Sequence, residues 1–190
     1  MTAAAARKLP AVAWNQFQAL EEGDLRELID GELVEVEVPT KWHEQIVSLI
    51  VQYLGPWARA HGKGRVLTSG YKIRISDDRG VMPDVQLLSQ DTYRRADPNG
   101  LVDGRPEMVI EVISPSSRRF DRATKLGWYA SIGVPEYWLV DPEARTLERL
   151  VLRDGRYLIA QTAEGDTVFK AEDHEGLEIP LAELWAAMVP

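Results

Sequence analysis

Met82-Pro83-Asp84, then Pro106-Glu107-Met108-Val109-Ile110-Glu111-Val112-Ile113-Ser114, then Lys125 on the segment that follows, set two carboxylates and one lysine among apolar neighbours. A carboxylate inside a Val/Ile run is costly unless it is paired, protonated or bound to a metal, so Asp84 and Glu111 each demand a partner. Residues 107–113 read as a buried strand that Ser114-Pro115-Ser116-Ser117 breaks, and 81–88 as a neighbouring strand carrying Asp84. Asp121 is placed to cap a helix over 122–132, with Gly133 at C′ and Pro135 preventing continuation. On a helical wheel Leu126, Trp128, Tyr129, Ala130 and Ile132 define an apolar arc, and Lys125 lies inside it. Two readings of that lysine remain open: an ammonium aimed purposefully at the strands bearing Asp84 and Glu111, or a stem lying on the sheet with its head snorkelling out.

The rest of the chain supplies elements that can surround this centre. A short helix over 13–20 is followed by Leu25-Arg26-Glu27-Leu28-Ile29, Asp30-Gly31 and Glu32-Leu33-Val34-Glu35-Val36-Glu37-Val38, a hairpin whose Asp-Gly suits a two-residue turn with positive φ. A two-residue loop opposes Ile29 to Glu32 and Glu27 to Val34, so Glu27 and Glu32 share a face with Leu25, Ile29, Val34 and Val36. Each of these glutamates reads either as an edge position reaching solvent or as an accessory acid beside the site. Thr40 then caps a helix over 41–60, ended by His61-Gly62, and His43 falls near the centre of its apolar arc. That histidine is either a hydrogen-bonded core residue or an accessory group, since the first turn of a helix is where helix ends approach sites. Strands are expected over 64–67 and 71–75, and residues 89–105 read as a long loop without periodicity. After the buried strand Tyr137-Trp138-Leu139-Val140 come a hairpin about Asp154-Gly155, a short strand and a terminal helix over 181–188. No functional signal is found there, and His174, among Glu172, Asp173 and Glu175, reads as part of a solvated loop.

Composition narrows the classes. With 190 residues and 45% hydrophobic content the chain suits one domain, 13–190, preceded by a disordered or extended N-terminus, 1–12. No stretch approaches a membrane span or a secretory signal, so a cytoplasmic protein with no membrane partner is expected. The absence of cysteine excludes disulfides, thiol nucleophiles and thiolate zinc sites; any metal must be held by oxygen or imidazole. A net charge of −8 disfavours nonspecific coating of nucleic acid but permits a local basic cleft.

Two carboxylates from neighbouring strands suit a hard divalent cation, Mg²⁺ with Mn²⁺ as its substitute, completed by water and substrate phosphate. A lysine beside it can orient or help deprotonate an attacking water, or offset charge in the transition state of phosphodiester hydrolysis. Pro83-Asp84, Glu111 and a lysine resemble the PD-(D/E)XK nuclease superfamily. The longer phrases Glu111-Val112-Ile113-Ser114-Pro115-Ser116 and Tyr129-Ala130-Ser131-Ile132-Gly133-Val134-Pro135-Glu136-Tyr137-Trp138-Leu139-Val140-Asp141-Pro142 resemble its putative restriction endonuclease family of bacterial proteins. The resemblance spans about 14–185 and implies a restriction endonuclease-like α/β fold: a central mixed sheet flanked by helices, with an N-terminal hairpin and a C-terminal β extension. It implies Asp84 and Glu111 as metal ligands, the Val112 carbonyl as a third, and Lys125 as the catalytic lysine. One departure stands out. The superfamily pattern places lysine two residues after the acid, where this chain has Ile113, and a lysine moved to the following helix can reach the same point. Arg118, Arg119 and Arg122, with Arg94, Arg95 and Arg105 upstream, are candidates for holding phosphates. The expected function is a metal-dependent DNA endonuclease acting as a homodimer. The alternatives are an inactive nuclease-fold module for DNA binding or oligomerisation, and a phosphohydrolase for RNA or a small molecule.

Overall fold

The computed structural model describes residues 11–21 and 23–188, so the expectation for the N-terminus lies, for residues 1–10, outside the described residues. The chain begins with helix α1 (Trp14–Gln18) and a hairpin of β1 (Arg26–Ile29) and β2 (Glu32–Glu35). Its register is the one that a two-residue loop dictates, Ile29 opposite Glu32 and Glu27 opposite Val34. Asp30 (φ 49°) and Gly31 (φ 79°) take the positive φ angles that such a turn requires. Helix α2 (Lys41–Ala60) follows, with the Thr40 side chain accepting a hydrogen bond from the His43 amide at 3.3 Å.

Strands β3 (Arg65–Thr68), β4 (Ile73–Ser76), β5 (Arg79–Val81) and β6 (Val85–Leu88) come next. The single strand expected over 81–88 is two strands in two sheets: Pro83 has no amide to donate to a ladder, and the chain changes sheet there, leaving Asp84 just before β6. Residues 89–105 are not all loop. Ser89 caps helix α3 (Gln90–Arg95) by accepting from the Thr92 amide at 3.1 Å, and none of its residues is buried, so no apolar period marks it.

Strand β7 (Met108–Val112) leads to a π-helical turn (Phe120–Lys125) that runs directly into helix α4 (Leu126–Ser131). Strands β8 (Glu136–Asp141), β9 (Thr146–Arg153) and β10 (Arg156–Glu164) follow, then β11 (Val168–Lys170), β12 (Glu178–Pro180) and helix α5 (Leu181–Ala186). The main sheet has the order β10-β9-β8-β7-β6-β3, with β7 and β8 parallel and the other pairs antiparallel; the hairpin belongs to a smaller sheet, β2-β1-β5-β4.

Alternation along β7 allocates its side chains. Met108, Ile110 and Val112 enter the core beneath α2 and α5, whereas Val109 and Ile113 enter the core beneath α4. Glu111 therefore projects toward α4. On the opposite face a second polar cluster is buried. Arg149, 1% exposed, bridges both Glu136 oxygens at 2.9 and 2.8 Å and reaches Asp173 at 2.7 Å. Trp138 Nε1 and His174 Nε2 also meet the Glu136 carboxylate, at 2.8 and 2.9 Å, and Trp57 lies edge-on to His174. His174 is thus no solvated loop residue. It clamps the turn between β11 and β12 onto the sheet, through a partner 38 positions away that local sequence cannot reveal.

Burial pushes the Glu136 carboxyl up, but the bonds from His174, Arg149 and Trp138 outweigh it and hold its pKa down at about 2. Because the folded value lies below the unfolded one, this stabilisation is present above about pH 4.5 and is lost as pH falls toward 2; its upper size is about 3 kcal/mol. Urea midpoints should therefore fall between pH 4.5 and 2.5, and less steeply in Glu136→Gln. Equal slopes in the two proteins would remove Glu136 from the acid response.

Candidate active site

A cavity of about 560 Å³ opens where the small sheet, the N-terminus of α2 and the end of β7 meet the π-helical turn. Asp84, Glu111, Val112, Lys125, Glu27 and His43 all line it. Asp84 is held by its Oδ2, which accepts the Val112 amide at 2.7 Å and lies 3.2 Å from His43 Nε2. The first turn of α2 thus delivers His43 to the site, because the Thr40 cap starts the helix beside it. Burial works against the His43 imidazolium, but the bond and charge of Asp84, helped by Glu44 and Glu111, outweigh it and raise its pKa.

Glu111, 2% exposed, accepts the Lys125 ammonium at 3.0 Å and the Tyr129 hydroxyl at 2.7 Å on one oxygen, Oε1. Lys125, 7% exposed, also lies 3.5 Å from Glu27 and 3.6 Å from Asp121. Lys125 faces the acids and does not snorkel. The π-helical turn and α4 place Asp121, Lys125 and Tyr129 at steps of four, all aimed at Glu111 or its neighbours. Asp121 is not the helix cap, since its own amide already bonds the Ser117 carbonyl at 2.9 Å; its side chain is buried in the site.

Four carboxyl groups here face one ammonium. Burial, then Asp84, Asp121 and Glu27, push the Glu111 carboxyl up against the opposing pull of Lys125. For Lys125, burial opposes the charge, but Glu111, Glu27, Asp121 and Asp84 prevail and hold its pKa well above the usual value. Asp121 is likewise raised, mainly by burial. All three shifts express one imbalance, an excess of acid over base in buried surroundings. Among the described residues, Glu27 Oε2 and Asp121 Oδ1 are buried without any hydrogen-bond partner, a deficit that further positive charge or protons would relieve. No group of three or more His, Asp or Glu side chains among the described residues converges as a ready metal cage. Mg²⁺ needs only one or two carboxylates beside water and phosphate, and hard oxygens from Asp84 and Glu111 fit that requirement.

The other candidates are dispersed. Glu27 is 2% exposed and its Oε1 accepts the Met82 amide at 3.1 Å, which ties β1 to the Asp84 segment. Glu32 shares its face by register but is exposed beside the hairpin turn and does not line the cavity. Arg118 is paired with Asp141 and Glu143, and Arg122 with Glu148 at 2.6 Å; Arg119 is exposed. Within the basic group read from the sequence, Arg118 and Arg122 are thus neutralised by partners on β8, β9 and the turn between them, and Arg95 by Asp91. Tyr129 and Asp121 were not recognised as site residues, although their spacing about Lys125 was available to reveal them.

A mixed sheet with helices on both faces and an acid–lysine pocket at the end of β7 defines the class of fold. It is restriction endonuclease-like: the crystal structure of a putative nuclease belonging to DUF820 from Anabaena variabilis matches with a TM-score of 0.72 at 18% identity, over 94% of this chain and 99% of that chain. The model of the Uma2 family, described as putative restriction endonuclease, matches residues 14–182, and the chain belongs to that family. No curated protein matches. Among the described residues no helix is long and apolar enough to cross a membrane.

Proposed function

We propose that this protein is a divalent-metal-dependent endonuclease that hydrolyses phosphodiester bonds of DNA, with Asp84, Glu111 and Lys125 as its catalytic residues. The observation that carries the reading is the floor of the cavity, where three buried carboxyl groups meet one ammonium beside the half-buried Asp84. Asp84, Glu111 and the Val112 carbonyl would hold Mg²⁺ or Mn²⁺, which supplies an activated water and charge stabilisation at the leaving oxygen. The Val112 amide and His43 fix the orientation of Asp84. Tyr129 fixes that of Glu111. Lys125, kept protonated by its acidic neighbours, places a positive charge where negative charge develops on the phosphorane. The names of the family and of the matched structure support nuclease chemistry. Arg119, exposed at the entry to the helix, is a candidate phosphate contact with no ion-pair partner among the described residues, and two copies would suit cleavage of both strands.

A second reading has its own observation. Among the described residues, Lys125 is apart from His43 the only basic residue lining the cavity, which Glu35 and Glu37 also line. Such a mouth favours a single strand, RNA or a small phosphorylated molecule over a continuous duplex. Supercoiled plasmid, single-stranded DNA and RNA should therefore be incubated with Mg²⁺ or Mn²⁺ and the wild type, Asp84→Asn or Lys125→Met. Metal-dependent nicking that falls by at least about 10³-fold in both variants supports the site. Cleavage of RNA alone would select the second reading, and no cleavage of any substrate would favour a non-catalytic DNA-binding or oligomerisation module.

A further inference from the structure

The Lys125 ammonium has three N–H donors and, among the described residues, one hydrogen-bonded acceptor, Glu111 Oε1 at 3.0 Å. Its other carboxylate neighbours stand slightly too far for a good bond, Glu27 Oε1 at 3.5 Å and Asp121 Oδ1 at 3.6 Å. Both side chains are 3% exposed. Asp121 Oδ1 and Glu27 Oε2 find no donor among the described residues. An unused donor of Lys125 and the unused Asp121 Oδ1 thus face each other in buried surroundings a fraction of an ångström beyond bonding distance, and Glu27, whose Oε1 already accepts the Met82 amide, stands equally near. Glu111 Oε1 does not depend on the ammonium alone, because the Tyr129 hydroxyl holds it at 2.7 Å. The Asp121 backbone is also pinned, its carbonyl accepting the Tyr137 hydroxyl at 3.1 Å, so the lysine side chain rather than the turn is free to adjust.

We propose that Asp121 and Glu27 form a second seat for the Lys125 ammonium, which they take over when Glu111 turns its carboxylate to a divalent cation. The inference rests on the metal-dependent reading above and adds two positioning residues to it. In the first seat Lys125 neutralises Glu111 and competes with the cation for it. In the second, Glu111 is released while the ammonium stays buried, paired and beside the site. Neither Asp121 nor Glu27 ligates the metal, yet both set its affinity, because without them the ammonium has nowhere to go.

The test is calorimetric titration of the full chain with Mn²⁺, in a double-mutant cycle of Asp121→Asn and Lys125→Met, with Glu27→Gln as a parallel arm. Asp121→Asn removes one charge from a pocket with excess acid, so it should fold at least as well as the wild type, as a thermal melt without metal verifies. In the presence of Lys125 it should weaken Mn²⁺ binding about tenfold, the coupling expected within one ion-pair network. In the Lys125→Met background the same change should cost less than about twofold, and Lys125→Met alone should bind Mn²⁺ more tightly than the wild type. Lys125→Gln provides the same background should the methionine variant not fold. An equal loss in both backgrounds would make Asp121 a direct ligand or a mere background charge and would overturn the second seat while leaving the metal-dependent reading intact. No Mn²⁺ binding by the wild type would overturn both.

Discussion

Glu111→Gln should lower metal-dependent cleavage by at least about 10³-fold and, in the same protein without metal, raise the melting temperature. The two effects share a cause. Burial and three nearby carboxylates already push Glu111 toward its protonated form, against the pull of Lys125. Glutamine copies that form. It keeps an oxygen for the Lys125 and Tyr129 donors while removing one negative charge from a pocket that holds too many. Glu27 and Asp121 remain beside the ammonium, so Lys125 is not stranded. A gain of about 1 kcal/mol is expected, which corresponds to roughly 3 °C for a domain of this size. The carboxylate that the proposed activity requires is lost, and any thermal shift that added Mn²⁺ produces in the wild type should shrink with it. A variant less stable than the wild type, or one that still cleaves, would remove Glu111 from the centre of the site.

Arg149→Met should be the most damaging change remote from the cavity. It leaves Glu136 buried with only His174 and Trp138 as partners and deprives Asp173 of its arginine. Breaking one side of a buried ion pair costs about 3–5 kcal/mol, or about 10 °C in melting temperature here. Because the cluster lies on the face of the sheet opposite Glu111, cleavage below the new melting transition should be unaffected. Arg149→Met combined with Glu136→Leu should recover much of the loss, since the damage comes from the stranded charge rather than from the missing contact. Failure of the double variant to recover would mean that the arginine stem, opposite Trp138 across the strands, contributes more than its charge.

Local chemistry made much of this legible in advance. Asp30-Gly31 specified the turn and through it the register of the hairpin, and the wheel of 122–132 identified Lys125 as inward-facing. What escaped depended on contacts distant in sequence or on a rule with two meanings. An aspartate ahead of an apolar helix is ordinarily a cap, and Asp121 is instead one turn inside the helix with its carboxylate buried. The apolar run over 81–88 hid a change of sheet at Pro83. Register put Glu32 on the same face as Glu27, but burial depends on what covers each position, and Glu27 is buried in the site whereas Glu32, beside the turn, is exposed. His174 looked solvated because its immediate neighbours are acidic, whereas its partners come from β8 and α2.

Ile113 packs in the core beneath α4 while Lys125 approaches from the π-helical turn. A lysine on the strand would have to satisfy two demands with one residue, filling the sheet surface and delivering charge. Here those demands fall on separate codons. Position 113 is open to any aliphatic side chain of suitable volume, and the reach of the ammonium is set by the helix, so changes in the core and changes in the pocket can proceed without disturbing one another.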